Sequence, residues 1–380
     1  MNIKPLKIGN LIAKVPIIQG GMGVGVSLSN LAGNVAKNGA IGVISAAHAG
    51  YMEEDFESNT LKANLRGLAK HIKKAKEISS NGLIGVNVMV AMNNYVEHVK
   101  AAIEAGADLI ISGAGLPLNL PEIIEGSSIK IAPIVSSSKA AKVILNYWKK
   151  HFNKTANAVI VEGPLAGGHL GFKANNLNDE IKNFDNNVIS IIKEVKNFEN
   201  EFNTTIPVVV AGGVFTHDDM IKYLNLGASG VQVATRFVAT HECDAHINFK
   251  NAYVNCTKED IELTISPVGM PGRAIRNKLT ETLKKERIKI TKCYNCLIPC
   301  NPANTPYCIS SALINSVKGD VENGLVFCGG NAHRINKIVS VKELIDELMG
   351  KIWLLMNNWF ILRSNLYSSQ CTIHSSQFLK

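Results

Sequence analysis

Eight short apolar runs, each followed by an amphipathic helical pattern, fill most of the chain between Val15 and Val233. They are Val15–Gln19, Ile41–Ser45, Leu83–Val88, Asp108–Ser112, Lys130–Val135, Ala158–Val161, Pro207–Val210 and Gly230–Val233. The runs are apolar throughout rather than alternating, as parallel strands buried on both faces should be. Helical patterns begin near Ser29, Leu61, Asn93, Leu120, Ser138, Asn186 and His217, and an eighth must follow Arg236. Ser29, Asn93, Ser138 and Asp218 suit N-terminal caps or first turns. Eight such units predict an α/β fold of the (β/α)₈ TIM-barrel type, whose usual size is about 250 residues.

A doubly wound sheet is the main rival. Gly21-Met22-Gly23-Val24-Gly25 follows the first strand and looks like a dinucleotide loop. The acidic residue such a loop needs about 20 positions on is missing, since Ser45-Ala46-Ala47 stands there. The glycines suit instead the approach of a flat ligand to the backbone above a barrel. On this reading residues 1–242 are the barrel. Residues 243–308 are an inserted lid after strand eight, with a long helix near Asn277–Lys292. Residues 309–350 carry closing helices, Pro306–Val317 and Val341–Met349, and residues 351–380 form an atypical tail. The tail holds the apolar stretches Ile352–Leu355 and Trp359–Leu362 and reads as foreign to the ancestral domain rather than as a docking helix.

The chain is 46% hydrophobic and 19% charged, which excludes global disorder. Its net charge of +9 is local. The segment Arg273–Lys292 carries eight basic and two acidic residues, and the tail adds Lys351, Arg363 and Lys380. The remainder is near neutral, so a nucleic-acid binder is not expected. The basic segment reads as a solvated helix face, with an acidic partner or phosphorylated cofactor as the alternative. No apolar run is long enough to span a bilayer, and the first ten residues do not read as a signal peptide. The expectation is a cytoplasmic protein without membrane contact, acting on a small molecule, with a homodimer compatible.

A barrel places its chemistry at the C-terminal ends of the strands, and often a phosphate after strands seven and eight. Strand seven ends in Ala211-Gly212-Gly213 and strand eight in Gln232-Val233-Ala234-Thr235. Small residues there expose backbone N–H groups, and the Thr235 hydroxyl can donate, which suits a phosphate monoester. Strand six ends in Glu162-Gly163-Pro164-Leu165-Ala166-Gly167-Gly168-His169. An imidazole flanked by glycines at that point can hydrogen-bond a substrate oxygen or exchange a proton. Asn87, after strand three, offers a donor and an acceptor. His48, after strand two, reads as a turn histidine before a site residue.

These motifs, together with Pro16–Gly23, Gly85–Met89 and Gly230–Phe237 in order, resemble the nitronate monooxygenase family, formerly 2-nitropropane dioxygenases. The same family includes flavin-dependent enoyl-acyl-carrier-protein reductase II. The resemblance covers about residues 1–350 and implies a TIM barrel carrying non-covalent FMN. It implies that Gly21 and Met22 lie against the isoalloxazine, that Asn87 binds the flavin, and that Glu162 and Gly167 line its strand-six side. Gly212, Gly213, Gln232, Ala234 and Thr235 would hold the ring edge and phosphate, and His169 matches the catalytic histidine. Ala234 stands where many members have Gly, and Glu162 where some have Gln. The implied reaction is oxidation of an alkyl nitronate by O₂ to a carbonyl compound and nitrite. The alternative is NAD(P)H-dependent reduction of an enoyl thioester. A non-enzymatic flavin-binding barrel is a third reading, against which His169 argues.

Cys293, Cys296, Cys300 and Cys308 form a C-x2-C-x3-C-x7-C pattern, with Cys328 beyond. The spacing suits zinc or an iron–sulfur cluster. Reduced thiols in a Pro-rich loop are the favoured alternative, and the metal is left open.

Overall fold

The computed structural model describes residues 3–267 and 269–351. Its centre is a ring of eight parallel strands: β1 (Ile17–Gln19), β2 (Gly42–Ser45), β3 (Ile84–Met89), β4 (Leu109–Gly113), β5 (Lys130–Val135), β6 (Val159–Glu162), β7 (Val208–Ala211) and β8 (Gly230–Val233). The hydrogen-bonded order runs β1-β8-β7-β6-β5-β4-β3-β2. Closure comes through Ile41, whose N–H donates to Ile17 at 3.0 Å and whose carbonyl accepts from Gln19 at 2.9 Å. The expected TIM barrel is therefore present, and no strand limit differs from its sequence reading by more than two residues.

Two apolar layers explain the unbroken hydrophobic runs. Ile18, Val43, Ile111, Ala132, Ile160 and Val209 fill the barrel interior. Leu6, Ile8 and Ala13, from an antiparallel hairpin ahead of β1, join the same cluster and plug one end. The alternate residues Ile44, Val86, Ile110, Val161, Val210 and Val231 pack outward against the helices. Each strand is thus buried on both faces, and polar alternation has no place in it.

The helices are α1 (Ser29–Lys37), α2 (Thr60–Ile78), α3 (Tyr95–Glu104), α4 (Leu120–Ile123), α5 (Ser138–Phe152), α6 (Leu177–Phe202), α7 (His217–Asn225) and α8 (Thr235–Val238). Helix α5 begins at Ser138, a first-turn residue as read, behind the cap Ser137, whose side chain accepts from the Ala140 N–H at 3.2 Å. One detail corrects the sequence reading. Helix α6 starts nine residues before Asn186, at Leu177. Its first turns are polar, but Leu177, Phe184, Val188 and Ile191 keep one buried face, and Asp179 and Glu180 favour its N-terminus.

After β8 come α9 (Ile247–Asn255), an antiparallel pair β9 (Ile261–Ile265) and β10 (Pro271–Ile275), α10 (Lys278–Leu283), α11 (Ile309–Val317) and α12 (Val341–Leu348). The long helix expected over Asn277–Lys292 is only α10. Asn277 caps it through the Thr280 N–H, and the chain beyond leaves the helix, with the Ile288 N–H donating to Pro306 at 2.8 Å. The basic segment is therefore not one helix face, and Arg273 within it is buried. Helix α12 docks through Glu347, which takes two bonds from the Arg236 guanidinium at 3.0 and 2.7 Å. Among the described residues no helix is long and apolar enough to cross a membrane. The tail stretches Ile352–Leu355 and Trp359–Leu362 lie outside the described residues.

Candidate active site

The C-terminal ends of the barrel strands open into a cavity of about 670 Å³, within the range usual for small-molecule sites. Every residue singled out from the sequence as cofactor-binding or catalytic lines it. Gly21 brings the β1 turn against β3, since a Cβ there would lie 2.4 Å from the Cβ of Asn87. Met22 is fixed through its N–H, which donates to Ser27 Oγ at 2.8 Å. Across the barrel, Gly167 leaves no room for a side chain, because a Cβ would stand 2.7 Å from the Cys328 backbone. Gly212 and Gly213 adopt φ of +82° and +117°, so the β7 turn needs glycine at both positions. On β8 the carboxamide oxygen Oε1 of Gln232 is buried and has no hydrogen-bond partner among the described residues. Ala234 and Thr235 follow, and Thr235 Oγ1 accepts from the Gly329 N–H at 3.1 Å, leaving its own O–H to donate elsewhere.

His169 is held by a strand pairing that the sequence did not announce. Gly168 and His169 form a short strand antiparallel to β10, opposite Arg273 and Gly272. The His169 Nε2 lies 2.6 Å from Ser266 Oγ, and its ring meets Phe327 edge-on at 5.3 Å. Burial lowers its pKa to about 4, so the imidazole is neutral at physiological pH. Arg273 donates to the Pro164 carbonyl at 2.9 Å and also to that of Ala166, holding the turn that delivers His169.

Glu162 ends β6 inside the cavity. Burial pushes its carboxyl up to about 7, and a bond from the Gly171 N–H only partly opposes this. With the folded pKa above the ordinary 4.5, this group's contribution to stability is complete below about pH 4.5. It is lost as pH rises through about 7. The loss is on the order of 3 kcal/mol. Glu162→Gln is expected to flatten the stability profile between pH 4.5 and 7, measured as urea midpoints; a profile unchanged from the parent's would contradict this assignment.

Sequence reading missed Ser266, Arg273 and the Gly329–Asn331 segment. That segment crosses the β6–β8 loops: the Gly330 N–H donates to Leu165 at 3.0 Å, and Asn331 Nδ2 to the Gly213 carbonyl at 2.8 Å. The Gly329-Gly330 pair was its one visible signal. His48 is buried and also lines the cavity. Asn64 Oδ1 accepts from the Gly50 N–H at 3.1 Å, so the Asn64 amide nitrogen faces His48 Nδ1 at 3.2 Å. The Nε2–H of His48 then donates to Ser310 Oγ at 2.6 Å. Among the described residues no group of three or more His, Cys, Asp or Glu is arranged to hold a metal, the C-x2-C cysteines included.

The family model that matches residues 4–351 is described as nitronate monooxygenase. The chain belongs to the nitronate monooxygenase family. Within that family, it is 25% identical over 384 aligned positions to a protein named "Probable nitronate monooxygenase" from Staphylococcus haemolyticus, covering 90% of this chain and 95% of the relative. It is 24% identical over 366 positions to the (3aS,4S,5R,7aS)-5-hydroxy-7a-methyl-1-oxo-octahydro-1H-indene-4-carboxyl-CoA dehydrogenase of Mycobacterium tuberculosis, covering 88% and 92%. Relatives of this nitronate monooxygenase family member are thus named both as monooxygenase and as dehydrogenase, so oxidoreductase is the common description. Among solved structures, FabK from Thermotoga maritima superposes with a TM-score of 0.68 at 24% identity, covering 93% of this chain and 97% of FabK. A nitroalkane oxidase from Streptomyces ansochromogenes gives 0.68 at 18% identity, covering 91% and 97%. Both share the fold.

Proposed function

We propose that this protein is an FMN-dependent oxidoreductase that oxidises alkyl nitronates with O₂ to a carbonyl compound and nitrite. The observation that carries the reading is a neutral, half-buried imidazole at His169, fixed over a cavity whose opposite walls are cut back to glycine. The residues present fit FMN. The unpartnered buried oxygen of Gln232 suits a ring N–H, and the glycine turns at Gly212 and Gly213 with the Thr235 hydroxyl suit a phosphate. Gly21, Met22, Asn87, Glu162, Gly167 and Ala234 would complete the holding set. FMN, when bound, supplies the electron transfer and the reaction with O₂.

The protein's own residues then bind, orient and exclude water. A nitronate is an anion with two acceptor oxygens, and a neutral imidazole offers one N–H to them without an ion pair. Ser266 Oγ, bonded to His169 Nε2, keeps the ring from rotating. With a neutral nitroalkane as substrate, His169 would instead accept the α-proton, and its low pKa makes it a weak base for that task. Nitronates should therefore be far better substrates than the parent nitroalkanes. Residues 1–242 are proposed as the barrel, with 243–308 as a lid and 309–350 as closing helices.

The test is anaerobic addition of ethyl nitronate or propionate-3-nitronate to the FMN-loaded protein. Loss of the flavin's visible absorbance, and O₂ uptake in air, are expected; neither occurring removes the reading. Reduction of an enoyl thioester by NAD(P)H is the second reading. It is favoured by the relative named as a carboxyl-CoA dehydrogenase. NADH consumption that depends on crotonyl thioester would support it.

A further inference from the structure

Two buried histidines line the cavity and take no part in the chemistry above. His48 follows β2, and His98 lies on α3, which follows β3. In the ring these strands stand opposite β6 and β7, so the two imidazoles belong to the wall across from the β6 end that carries His169. Their hydrogen bonds differ. His48 is complete, with Asn64 on its Nδ1 and Ser310 on its Nε2. His98 is only half complete. Its Nδ1 lies 2.8 Å from the Asn94 carbonyl oxygen, which can only accept, so Nδ1 carries the hydrogen. Burial lowers the pKa of His98, so the ring is neutral and Nε2 holds an uncovered lone pair. His98 is 2% exposed, and its Nε2 has no hydrogen-bond partner among the described residues. A buried polar atom left unpaired is costly, and a donor brought by a ligand removes that cost.

The surroundings select the donor. Met92 bridges to Leu297, and the Asn93 N–H donates to Cys296 at 3.1 Å, so the 293–298 segment covers the loop that leads into α3. Met92 and Leu297 both line the cavity and make this wall partly apolar. Among the described residues around the cavity there is no lysine, arginine or aspartate, and Glu162, at the end of β6, is the one carboxylate. A charged group reaching the His98 wall would therefore lose its water without gaining a counter-charge. A carboxylate would in addition set its own lone pairs against that of Nε2. An uncharged O–H or N–H meets the lone pair without either penalty.

We propose that the β2–β3 wall is a subsite for the far end of the ligand, where His98 Nε2 accepts a hydrogen bond from an uncharged hydroxyl or amide N–H. The subsite holds for either reaction. Its consequence for the substrate rests on the nitronate reading: the preferred nitronate carries an uncharged donor at its far end rather than a carboxylate.

The first test is independent of turnover. Full-length protein labelled with 15N-histidine is titrated with hexan-1-ol and, separately, with hexanoate, and the His98 resonances are assigned by their loss in His98→Gln. The expected result is an unprotonated Nε2 that hexan-1-ol shifts saturably upfield, as an accepted hydrogen bond does, with hexanoate at least about tenfold weaker. The second test compares steady-state KM values for nitronates of three to seven carbons ending in a hydroxyl with those of the analogues ending in a methyl. At the best length the hydroxyl should lower KM at least about fivefold, the worth of one hydrogen bond to a buried group, and His98→Leu should bring the ratio to about one. An Nε2 that carries the hydrogen, a resonance that hexan-1-ol does not move, or hexanoate bound as tightly as the alcohol would overturn the proposal. A flavin that no nitronate reduces would remove the nitronate reading and leave the hexan-1-ol titration to decide the subsite.

Discussion

His169→Ala is expected to lower kcat/KM for nitronate oxidation by about 10²–10⁴-fold, the usual contribution of a positioned acid–base or hydrogen-bonding side chain. The ring is anchored by contacts peripheral to the core: one bond to Ser266 at 2.6 Å, one edge contact with Phe327, and the main-chain pairing of Gly168–His169 with β10. Truncation leaves the main-chain pairing intact, so FMN content and thermal midpoint should stay near the parent's. His169→Asn, which keeps an N–H donor, should recover part of the rate with nitronates but none with neutral nitroalkanes. The measurements are O₂ uptake under steady state, flavin absorbance per protein, and a melt of each variant. An alanine variant with the parent's kcat/KM would remove His169 from the reaction.

Gly212→Ala should cost about 2–4 kcal/mol of stability and weaken FMN binding at least about tenfold. Two independent penalties meet at this residue. Its φ of +82° strains any L side chain by roughly 1–2 kcal/mol. A Cβ would also lie 2.6 Å from the carbonyl oxygen and 2.9 Å from the nitrogen of Gly163, both backbone atoms, which cannot rotate aside as a side chain could. Relief requires the β7 turn to move away from the β6 turn, and that displaces Gly213 and its bond to Asn331. Gly126→Ala is the control. It carries the same backbone strain at φ +79° but has open space around the new atom. It should lose about 1 kcal/mol and keep its FMN. Chemical denaturation and flavin titration of both variants give the comparison; equal losses in the two would contradict the clash.

The strands were legible because burial on both faces writes a continuous apolar run, such as Ala158–Val161, and eight such runs alternate with helical patterns. The cavity-facing residues were legible for a related reason. A TIM barrel has one functional end, so residues following strands, such as Gly212 and Thr235, must converge on it. Helix limits were less so. Helix α6 hides its first turns in polar sequence, and the basic run after Leu283 has helix-forming residues but no buried face to hold them.

The barrel, the end at which chemistry sits, and the cavity-lining residues at the strand ends were readable from sequence alone, because each follows from local pattern and chain order. Tertiary structure decided what surrounds the imidazole. Ser266 lies 97 residues from His169 along the chain, and Arg273 reaches the Ala166 carbonyl across 107. The segment after β8 folds back on His169 through Ser266, Gly272 and Phe327, and burial makes its imidazole neutral. Desolvation is a property of everything packed around a group, so no local sequence pattern encodes it.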